Sequence, residues 1–532
     1  MNLDHNILTI ITFTPLVGAI VLALLPDRDK LQQWGALIVT LLTFFFTLHL
    51  PFHYDYSAPA DSFQFQQNLS WITSPSIHYH VGADGLSLWL VVLTGLLAPL
   101  GVLISWRAID NRRRLFYTLF LLQQVAMLGI FVSLDLFLYY AFWELSLVPM
   151  ALLIATFGRT ENRRRAAIKF FLYAFIPSAI LLVGMLWLYA RTSTFDFPQL
   201  AQLAATHSIS SNQAALWLAS LAFLVAFAVK VPVFPLHGWL SDAVSEAPTA
   251  AVMVIAGKLG LYSILRFSFG IFPAQSHRIA PLMLALGAIG IVYGALIALV
   301  QKDLKRLAAF ATLGHVSVVI LGIFAFTVSG IDGGIYQILN EGIGGAALFM
   351  LLGLLYERYH TYDMREYGGL ASRLPWIVTM FVLTALSTAG LPMLNGFVGE
   401  FLVFSGAMQS AIAHHVGWTA FATTSVILTA SYMLWMIQRV FYGDLSRRAE
   451  RVIPYDLTSR EHLALWPLVA LFLFMGIASP VFMRAIDTAG SRIAATVNHS
   501  QAVTVNFEAS SSSATAPETA TMTTSSAAKG AR

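Results

Sequence analysis

Ionisable side chains lie inside long apolar stretches of this sequence, where no water is expected to stabilise their charge. A charge at the centre of a bilayer costs about 2.5–3.5 kcal/mol on insertion scales, and residues of this kind usually face a protein interior and mark an ion path. Acids and bases both occur here, and a proton relay needs both. The candidates for proton transfer are Glu144, Lys230, Lys258, His315, Glu341 and Glu400, with His237 at the end of one stretch.

Buried lysines and glutamates influence each other's protonation. Burial and a neighbouring opposite charge act in opposite senses on the proton affinity of each group, so a lysine that exchanges partners can gain or lose its proton. Such linked groups titrate as a set, and histidine suits the connections between them. Each of these residues, considered alone, can also have a purely structural role. A Glu–Lys pair can join two helices, a histidine can simply pack, and His237 can cap a helix instead of lining a cytoplasmic exit.

The chain is too apolar for a soluble protein of its size. Of its 532 residues, 57% are hydrophobic and 11% are charged, whereas soluble domains carry about 25% charged residues. We therefore expect an all-α membrane protein with about fourteen spans of about 20 apolar residues each. The absence of cysteine excludes disulfides, thiolate metal sites and iron–sulfur ligation by this chain. No P-loop is present.

Two predicted spans are interrupted beside an ionisable residue. The seventh span, 214–236, carries Pro232 two residues after Lys230, and the twelfth, 375–408, carries the glycine-rich stretch 390–399 just before Glu400. Irregular backbone at membrane depth is tolerated only where protein or water satisfies the freed groups. The two breaks, five spans apart, predict two inverted five-helix repeats formed by spans 4–8 and 9–13, an arrangement that transporters use.

Most Lys and Arg lie in alternate loops, which predicts that those loops are cytoplasmic and that both termini are outside. The end of the chain is rich in Ser, Thr and Ala, a composition that cannot form a packed core. The predicted units are 1–110 (three N-terminal spans), 111–275 (first repeat), 276–445 (second, inverted repeat), 446–490 (last span) and 491–532 (disordered tail).

Several other charged residues are expected to stabilise the fold and to take no part in proton transfer. Asp84 is expected to cap the third span, and Arg266 is expected to extend its charge to the membrane surface along its aliphatic stem. Glu246 is expected to hold a loop. The charges of QKDLKRLAAF, residues 301–310, are expected to be solvated.

Five segments resemble the antiporter-like subunits of respiratory complex I. They are FWELSLVPM, KVPVFPLHGWLSDAVSEAPTA, KDLKRLAAFATLGHVS, AALFMLLGLLYER and LPMLNGFVGEF. The resemblance covers about residues 1–485. The M-type branch fits best, because the chain has no long lateral helix of the L-type and carries Glu400 where L- and N-type members usually have lysine.

The resemblance implies a role for several residues. Glu144 and Lys230 match a pair that modulates lysine protonation, Lys258 matches a central lysine, His315 matches a connecting histidine, and Glu400 matches the last group on the way out. Two departures stand out. The EAPTA–KLG spacing is about three residues short, nearly one helical turn, and Glu341 replaces a common histidine.

The resemblance also implies an assembly and a compartment. We expect a proton-translocating subunit of a bacterial NADH–quinone oxidoreductase, in the inner membrane beside L- and N-type neighbours. This chain alone would perform no redox chemistry and would hold no cofactor, while NADH, FMN, iron–sulfur clusters and quinone would bind other subunits.

Three alternatives stay open at the level of sequence. One is a subunit of a multisubunit cation/proton antiporter or of a membrane-bound hydrogenase. The second is a membrane scaffold without a proton path. The third is a secondary transporter that works alone.

Overall fold

The computed structural model describes residues 3–255, 258–452 and 454–514. Apolar helices dominate these ranges. The helices of the first half are α1 Leu3–Leu24, α2 Asp29–His53, α3 Leu88–Ala108, α4 Arg113–Val132, α5 Leu136–Leu145, α6 Leu147–Phe157, α7 Arg163–Thr192, α8 Phe197–Ala205, α9 Gln213–Lys230, α10 Leu240–Glu246, α11 Thr249–Ile255 and α12 Lys258–Ser263.

The second half begins with a π-helical turn, Ile264–Ser268, which continues α12. The helices that follow are α13 Phe269–Ile271, α14 Pro273–Val300, α15 Leu304–Ile323, α16 Val328–Tyr359, α17 Pro375–Thr388, α18 Asn395–Met408, α19 His415–Thr423, α20 Ser425–Phe441, α21 Arg447–Arg451, α22 Ser459–Ile477 and α23 Ser479–Ala514, with short 3-10 turns at Met364–Glu366 and Leu370–Ser372.

Thirteen stretches of the described chain are long and apolar enough to cross a membrane. The predicted twelfth span is not among them, because it consists of α17 and α18, each 14 residues long and therefore only about 21 Å in length. The membrane-protein fold is confirmed, while the total of fourteen spans and the inverted repeats remain predictions.

Both predicted breaks are present. The α9 helix ends at Lys230, and the backbone is irregular until α10. The α17 helix ends at Thr388, after which Gly390 adopts a φ of 73° and the chain turns into α18. Glycine adopts this left-handed backbone conformation without the steric cost that a side chain would add.

The structure differs from the sequence prediction at two places outside the core. Residues 64–83 form an antiparallel hairpin of β1 (Gln64–Ile72) and β2 (Ile77–Ala83), so the fold is not purely helical. The tail predicted to be disordered from residue 491 is helical up to Ala514 as part of α23; residues 515–532 lie outside the described residues.

The α16 helix forms the centre of the second half of the molecule. It is buried along nearly its whole length and packs against α15, α18 and α23. It runs antiparallel to α18, since Gly333 lies against Val403 and Gly399 lies against Gln337. Helix α7, by contrast, exposes many large apolar side chains, as expected of a helix that faces lipid.

Candidate functional site

Glu144 lies near the end of α5, where Ser146 forms the joint with α6. The hydroxyl of Ser178, on α7, donates a hydrogen bond to the Glu144 carboxylate. The carboxylate is therefore held between two helices at an irregular point of the backbone.

Lys230 is the last residue of α9, immediately before the first break. Its ammonium nitrogen donates a hydrogen bond of 3.2 Å to the hydroxyl of Ser146 and lies 5.1 Å from the ring centre of Trp143. In the described ranges it forms no direct ion pair with a carboxylate, although the Glu144 charge attracts it. Lys230 and Glu144 thus bind different serines, Ser146 and Ser178, and a shift of either helix can change the interaction between the two charges.

Lys258 lies at the first turn of α12 and is 3% exposed. Its ammonium donates to the backbone oxygen of Met253 at 3.2 Å. The end of the side chain packs against Gly342 of α16, where an added Cβ would lie 3.0 Å from the lysine Cε. The adjoining Glu341 attracts the ammonium electrostatically. The shortened spacing therefore still leaves Lys258 facing α16, while residues 256–257 of that spacing lie outside the described residues.

Glu341 joins Lys258 to the next ionisable group. Its Oε2 lies 3.5 Å from Nδ1 of His315 on α15, and both side chains are 8% exposed. On the other side of the imidazole, Nε2 lies 3.4 Å from the hydroxyl of Tyr432 on α20. The side chains of Lys258, Glu341, His315 and Tyr432 therefore lie next to one another in space, in that order, although they come from four different helices.

A small polar cavity of about 20 Å³ opens beside Glu341 and His315. This volume holds about one water molecule, and the lining offers several hydrogen-bond partners for it. The cavity extends to Asn340 of α16 and Asn395 of α18, whose side-chain amides are joined by a hydrogen bond of 3.0 Å. Asn395 also accepts a hydrogen bond of 2.6 Å from Ser387 of α17. Polar contacts thus extend from the centre of the protein to the second break.

Glu400 lies on α18 directly beside that break. A Cβ added to Gly390 would lie 2.7 Å from its Oε2, so the carboxylate packs against the turn itself. Tyr432 interacts electrostatically with both Glu341 and Glu400. Tyr432 is 1% exposed and is near enough to both carboxylates for each of them to influence its hydroxyl.

The predicted residues form two groups. The first contains Glu144 and Lys230, and the second contains Lys258, Glu341, His315 and Glu400. No hydrogen bond among the described residues links the groups. Their helices meet at Gly260, where an added Cβ would lie 2.8 Å from the backbone oxygen of Phe227.

His237 belongs to neither group. Its ring packs between Phe234 and Tyr293, with ring centres 5.7 and 5.1 Å away. The N-cap of α10 is Trp239 and has no side-chain cap hydrogen bond, so the helix-cap alternative is wrong. The role at a cytoplasmic exit remains a prediction.

Three structural assignments need correction. Lys305 is not solvated: it is 3% exposed and donates to the backbone oxygen of Ala247. Arg266 does not extend its charge to the surface, because its guanidinium is buried and forms hydrogen bonds of 2.7 and 2.6 Å with Asp84. Asp84 does not cap α3, whose N-cap is Ser87; its carboxylate accepts hydrogen bonds from the backbone N–H groups of Leu86 and Ser87 and also pairs with Arg492 at 2.6 Å. Distant residues satisfy all three charges.

Glu246 holds a loop as expected. Its carboxylate accepts hydrogen bonds from the backbone N–H and the hydroxyl of Thr160, at 2.8 and 2.6 Å. Sequence reasoning missed the uncharged polar members of the site, which are Ser146, Gln337, Asn340, Asn395 and Tyr432. Their one sequence signal is that they share apolar spans with the ionisable residues.

Comparison with known proteins places this geometry in a family. Residues 133–429 match the family described as NADH:quinone oxidoreductase/Mrp antiporter, TM. NADH-quinone oxidoreductase subunit M of Rhodobacter capsulatus is 39% identical, over 89% of this chain and 93% of its own length. NADH-ubiquinone oxidoreductase chain 4 of Arabidopsis thaliana is 35% identical, over 90% of this chain and 95% of its own length.

Solved structures show the same fold. A chain of respiratory complex I from Thermus thermophilus aligns with a TM-score of 0.82 and 29% identity, covering 92% of this chain and 99% of that one. A chain of the Mrp complex from Dietzia also aligns with a TM-score of 0.82, at 22% identity, over 94% of this chain and 100% of that one; it supports the fold alone. The chain belongs to the NADH:quinone oxidoreductase/Mrp antiporter transmembrane family, in the branch of complex I subunit M and chain 4.

Proposed function

We propose that this chain carries protons across the membrane as a subunit of a bacterial NADH–quinone oxidoreductase, driven by electron transfer in other subunits. The observation that carries the proposal is the row of groups Lys258, Glu341, His315, Tyr432 and Glu400. These side chains alternate in charge and hydrogen-bonding character, which lets each group pass a proton to the next.

The route runs from the side of the basic loops to the opposite side. Lys230 and Lys258 take protons from the cytoplasm, with His237 near the opening, and Glu400 releases them outward. The Glu144–Ser146–Lys230 group acts as the control point. When Glu144 and Lys230 approach each other, the charged form of the lysine is favoured, and when they separate it is disfavoured.

Glu341 takes the place of the common family histidine within this route. Its carboxylate faces the ammonium of Lys258 on one side and the imidazole of His315 on the other. When it is ionised, it stabilises a proton on either neighbour. By accepting the proton from Lys258 and then releasing it to His315, it can pass the proton between them without leaving its helix.

The partners and cofactors follow from the family. The chain lies beside L- and N-type antiporter-like neighbours in the inner membrane, and we place both of its termini on the outer side. NADH, FMN, iron–sulfur clusters and quinone bind other subunits, so this chain contributes to the enzyme as its translocating part.

The alternative of a membrane scaffold can be tested with Lys230→Ala. In the assembled complex in sealed vesicles, we expect NADH-driven proton translocation to fall at least about tenfold, since a proton-transfer group typically contributes about 10²–10⁴-fold. Lys169→Ala is the matched control, since Lys169 pairs with Asp242 at the protein surface, and it should translocate normally. Normal translocation by an assembled Lys230→Ala complex would support the scaffold instead.

The alternative of a cation/proton antiporter predicts a different ion requirement. If the chain exchanged Na⁺ for protons, translocation by the assembled complex would depend on external Na⁺. We expect the same rate with Na⁺ and with choline as the only external cation.

A further inference from the structure

The beginning of α1 and the end of α2 meet on the side of the membrane that carries the N-terminus. The two helices pack antiparallel, because Gly18 of α1 lies against Val39 of α2 and Gly35 of α2 lies against Leu22 of α1. This packing brings Asp4, in the first turn of α1, next to His49 and His53, in the last two turns of α2. The proposed proton route uses none of the three.

The side chains of Asp4, His49 and His53 converge. A carboxylate oxygen of Asp4 and one ring nitrogen from each histidine all lie within 4.8 Å of one another. Nε2 of His49 lies 2.6 Å from Oδ1 of Asp4. The rings of His49 and His53 are stacked, with centres 3.7 Å apart.

The hydrogen bond that His53 donates leaves its other ring nitrogen available to bind a ligand. Its Nδ1–H donates a hydrogen bond of 3.0 Å to the backbone oxygen of His49, so Nε2 carries a free lone pair. Histidines that bind metals usually donate their other ring N–H to an acceptor of this kind, which fixes the ring orientation. The spacing of four residues places both rings on one helix face, as in zinc-binding helices.

The ligand atoms, which lie within 4.8 Å of one another, would have to move by at most about 1.5 Å to bind one tetrahedral ion. Zinc bonds to histidine nitrogen and carboxylate oxygen are about 2.0–2.2 Å long, so two ligand atoms of one tetrahedral ion lie about 3.3 Å apart. The His49–Asp4 pair would open by less than about 1 Å. Asp4 can make this movement, because its side chain is 48% exposed.

We infer that Asp4, His49 and His53 bind a divalent transition-metal ion such as Zn²⁺, with water in the remaining position. The ion replaces the proton shared between His49 and Asp4, and that proton leaves to the solvent. Within the described ranges, no Lys or Arg forms an ion pair with any of the three, so no fixed positive charge opposes the ion at contact distance. The bound ion would join the first turn of α1 to the last turns of α2.

The test is Zn²⁺ binding by the purified assembled complex, measured by competition with a chelating indicator. We expect wild type to bind one more equivalent of tightly held Zn²⁺ than His49→Ala/His53→Ala. His5→Ala is the matched control, because it removes an exposed histidine next to Asp4 that is not part of the triad, and it should bind as wild type does. The exposed position of His53 makes His53→Ala a second variant that is expected to assemble.

His53→Ala should weaken the affinity of this equivalent at least about tenfold, since even the loss of an outer partner of a metal ligand costs about 10–100-fold. Electron paramagnetic resonance with Cu²⁺ as the probe should show two coordinating imidazole nitrogens in wild type and one in His53→Ala. Equal Zn²⁺ stoichiometry and affinity in wild type, His53→Ala and the double variant would overturn the proposal.

Discussion

Tyr432 is the residue that most clearly connects the central acid to the acid at the second break. Its hydroxyl lies 3.4 Å from Nε2 of His315, and the carboxylates of Glu341 and Glu400 both influence it electrostatically. A phenol can donate one proton while it accepts another. In the proposed route it passes the proton between α15 and α18 while its ring stays packed.

Tyr432→Phe tests this role with little disturbance of packing. Removal of a proton-transfer group typically slows the reaction by about 10²–10⁴-fold. We therefore expect translocation by the assembled complex to slow at least about tenfold. Tyr336→Phe is the matched control, because that buried hydroxyl donates only to a backbone oxygen, at 2.6 Å from Met475. Equal rates in the two variants would argue against a role for Tyr432.

At the residue scale, the sequence predicts charged members of the site but not uncharged ones. A lysine or glutamate in an apolar span is conspicuous because its burial is costly. Tyr432 and Asn395 are not conspicuous, since polar uncharged residues are common in membrane helices and their partners lie far away in the sequence. Lys305 was misassigned for a related reason: the oxygen that accepts from it belongs to Ala247, 58 residues away.

The second break is a packed joint between helices. Helices α16 and α18 approach so closely that a Cβ on Gly399 would lie 2.3 Å from the side-chain oxygen of Gln337 and 2.7 Å from the side-chain nitrogen of Asn340. The glycine therefore makes room for the amide groups that connect α16 with Asn395. The break and the polar contacts depend on each other.

Gly399→Ala should disrupt this joint. Overpacking of a tight interface typically costs about 1–3 kcal/mol, so we expect a lower unfolding temperature of the purified complex and slower proton translocation. Gly417→Ala is the matched control, because no atom lies within 4 Å of a Cβ added there, in helix α19. It should be neutral or slightly stabilising, since alanine favours helix more than glycine does. An unchanged Gly399→Ala complex would show that the joint tolerates a side chain.

At the element scale, the sequence predicts both breaks because proline and glycine mark them directly. The interruption at Ser146 is also marked, because Pro149 of α6 has no N–H to donate to the carbonyl of Leu145, a signal that the predicted spans did not take into account. No proline or glycine lies within the π-helical turn Ile264–Ser268, which the sequence does not predict. Helix α23 was underestimated because its outer part is poor in large apolar residues. Ile493, Ala494 and Val497 nevertheless bury one face of that part against the bundle.

Three distant parts of the chain meet in one buried ion cluster. The Asp84 carboxylate, before α3, pairs with Arg266 of the eighth span and with Arg492 of α23, each at 2.6 Å. Burial alone would raise the pKa of Asp84, but the two guanidinium groups hold it well below its usual range. The cluster therefore holds α23 against the helix bundle.

The cluster predicts a particular pH dependence. Because the pKa of Asp84 is lower in the folded protein than in the unfolded one, its contribution to stability is complete above the unfolded value of about 3.9 and is lost as the pH falls further, through the folded pKa. We expect Asp84→Asn to destabilise the protein at neutral pH by about 3–5 kcal/mol, the usual cost of breaking a buried pair. Thermal unfolding and proteolysis of α23 would measure this loss.

Asp55→Asn is the control for this variant, because Asp55 is exposed near the same hairpin and pairs with Ser57, two residues away. It should unfold as wild type does at neutral pH. If Asp84→Asn were as stable as Asp55→Asn and its α23 resisted protease equally, the cluster would not fasten the chain.

At the scale of the whole molecule, composition predicts a membrane protein because the bilayer is the one solvent that suits it. It cannot predict which distant charges will meet. Arg266 lies 182 residues from Asp84, and only the packing of α3, the eighth span and α23 brings them together. The sequence was therefore sufficient for the family and the helical membrane-protein fold but not for the contacts between distant charges.

The most direct test of the proton route is translocation by a complex that carries Glu341→Gln. This change keeps the shape of the side chain and removes the charge that lies between Lys258 and His315. The route predicts that the assembled complex translocates protons at least about tenfold more slowly than wild type, while Glu366→Gln, a change to an exposed acid paired with Arg448, leaves the rate unchanged. Wild-type rates in an assembled Glu341→Gln complex would contradict the route.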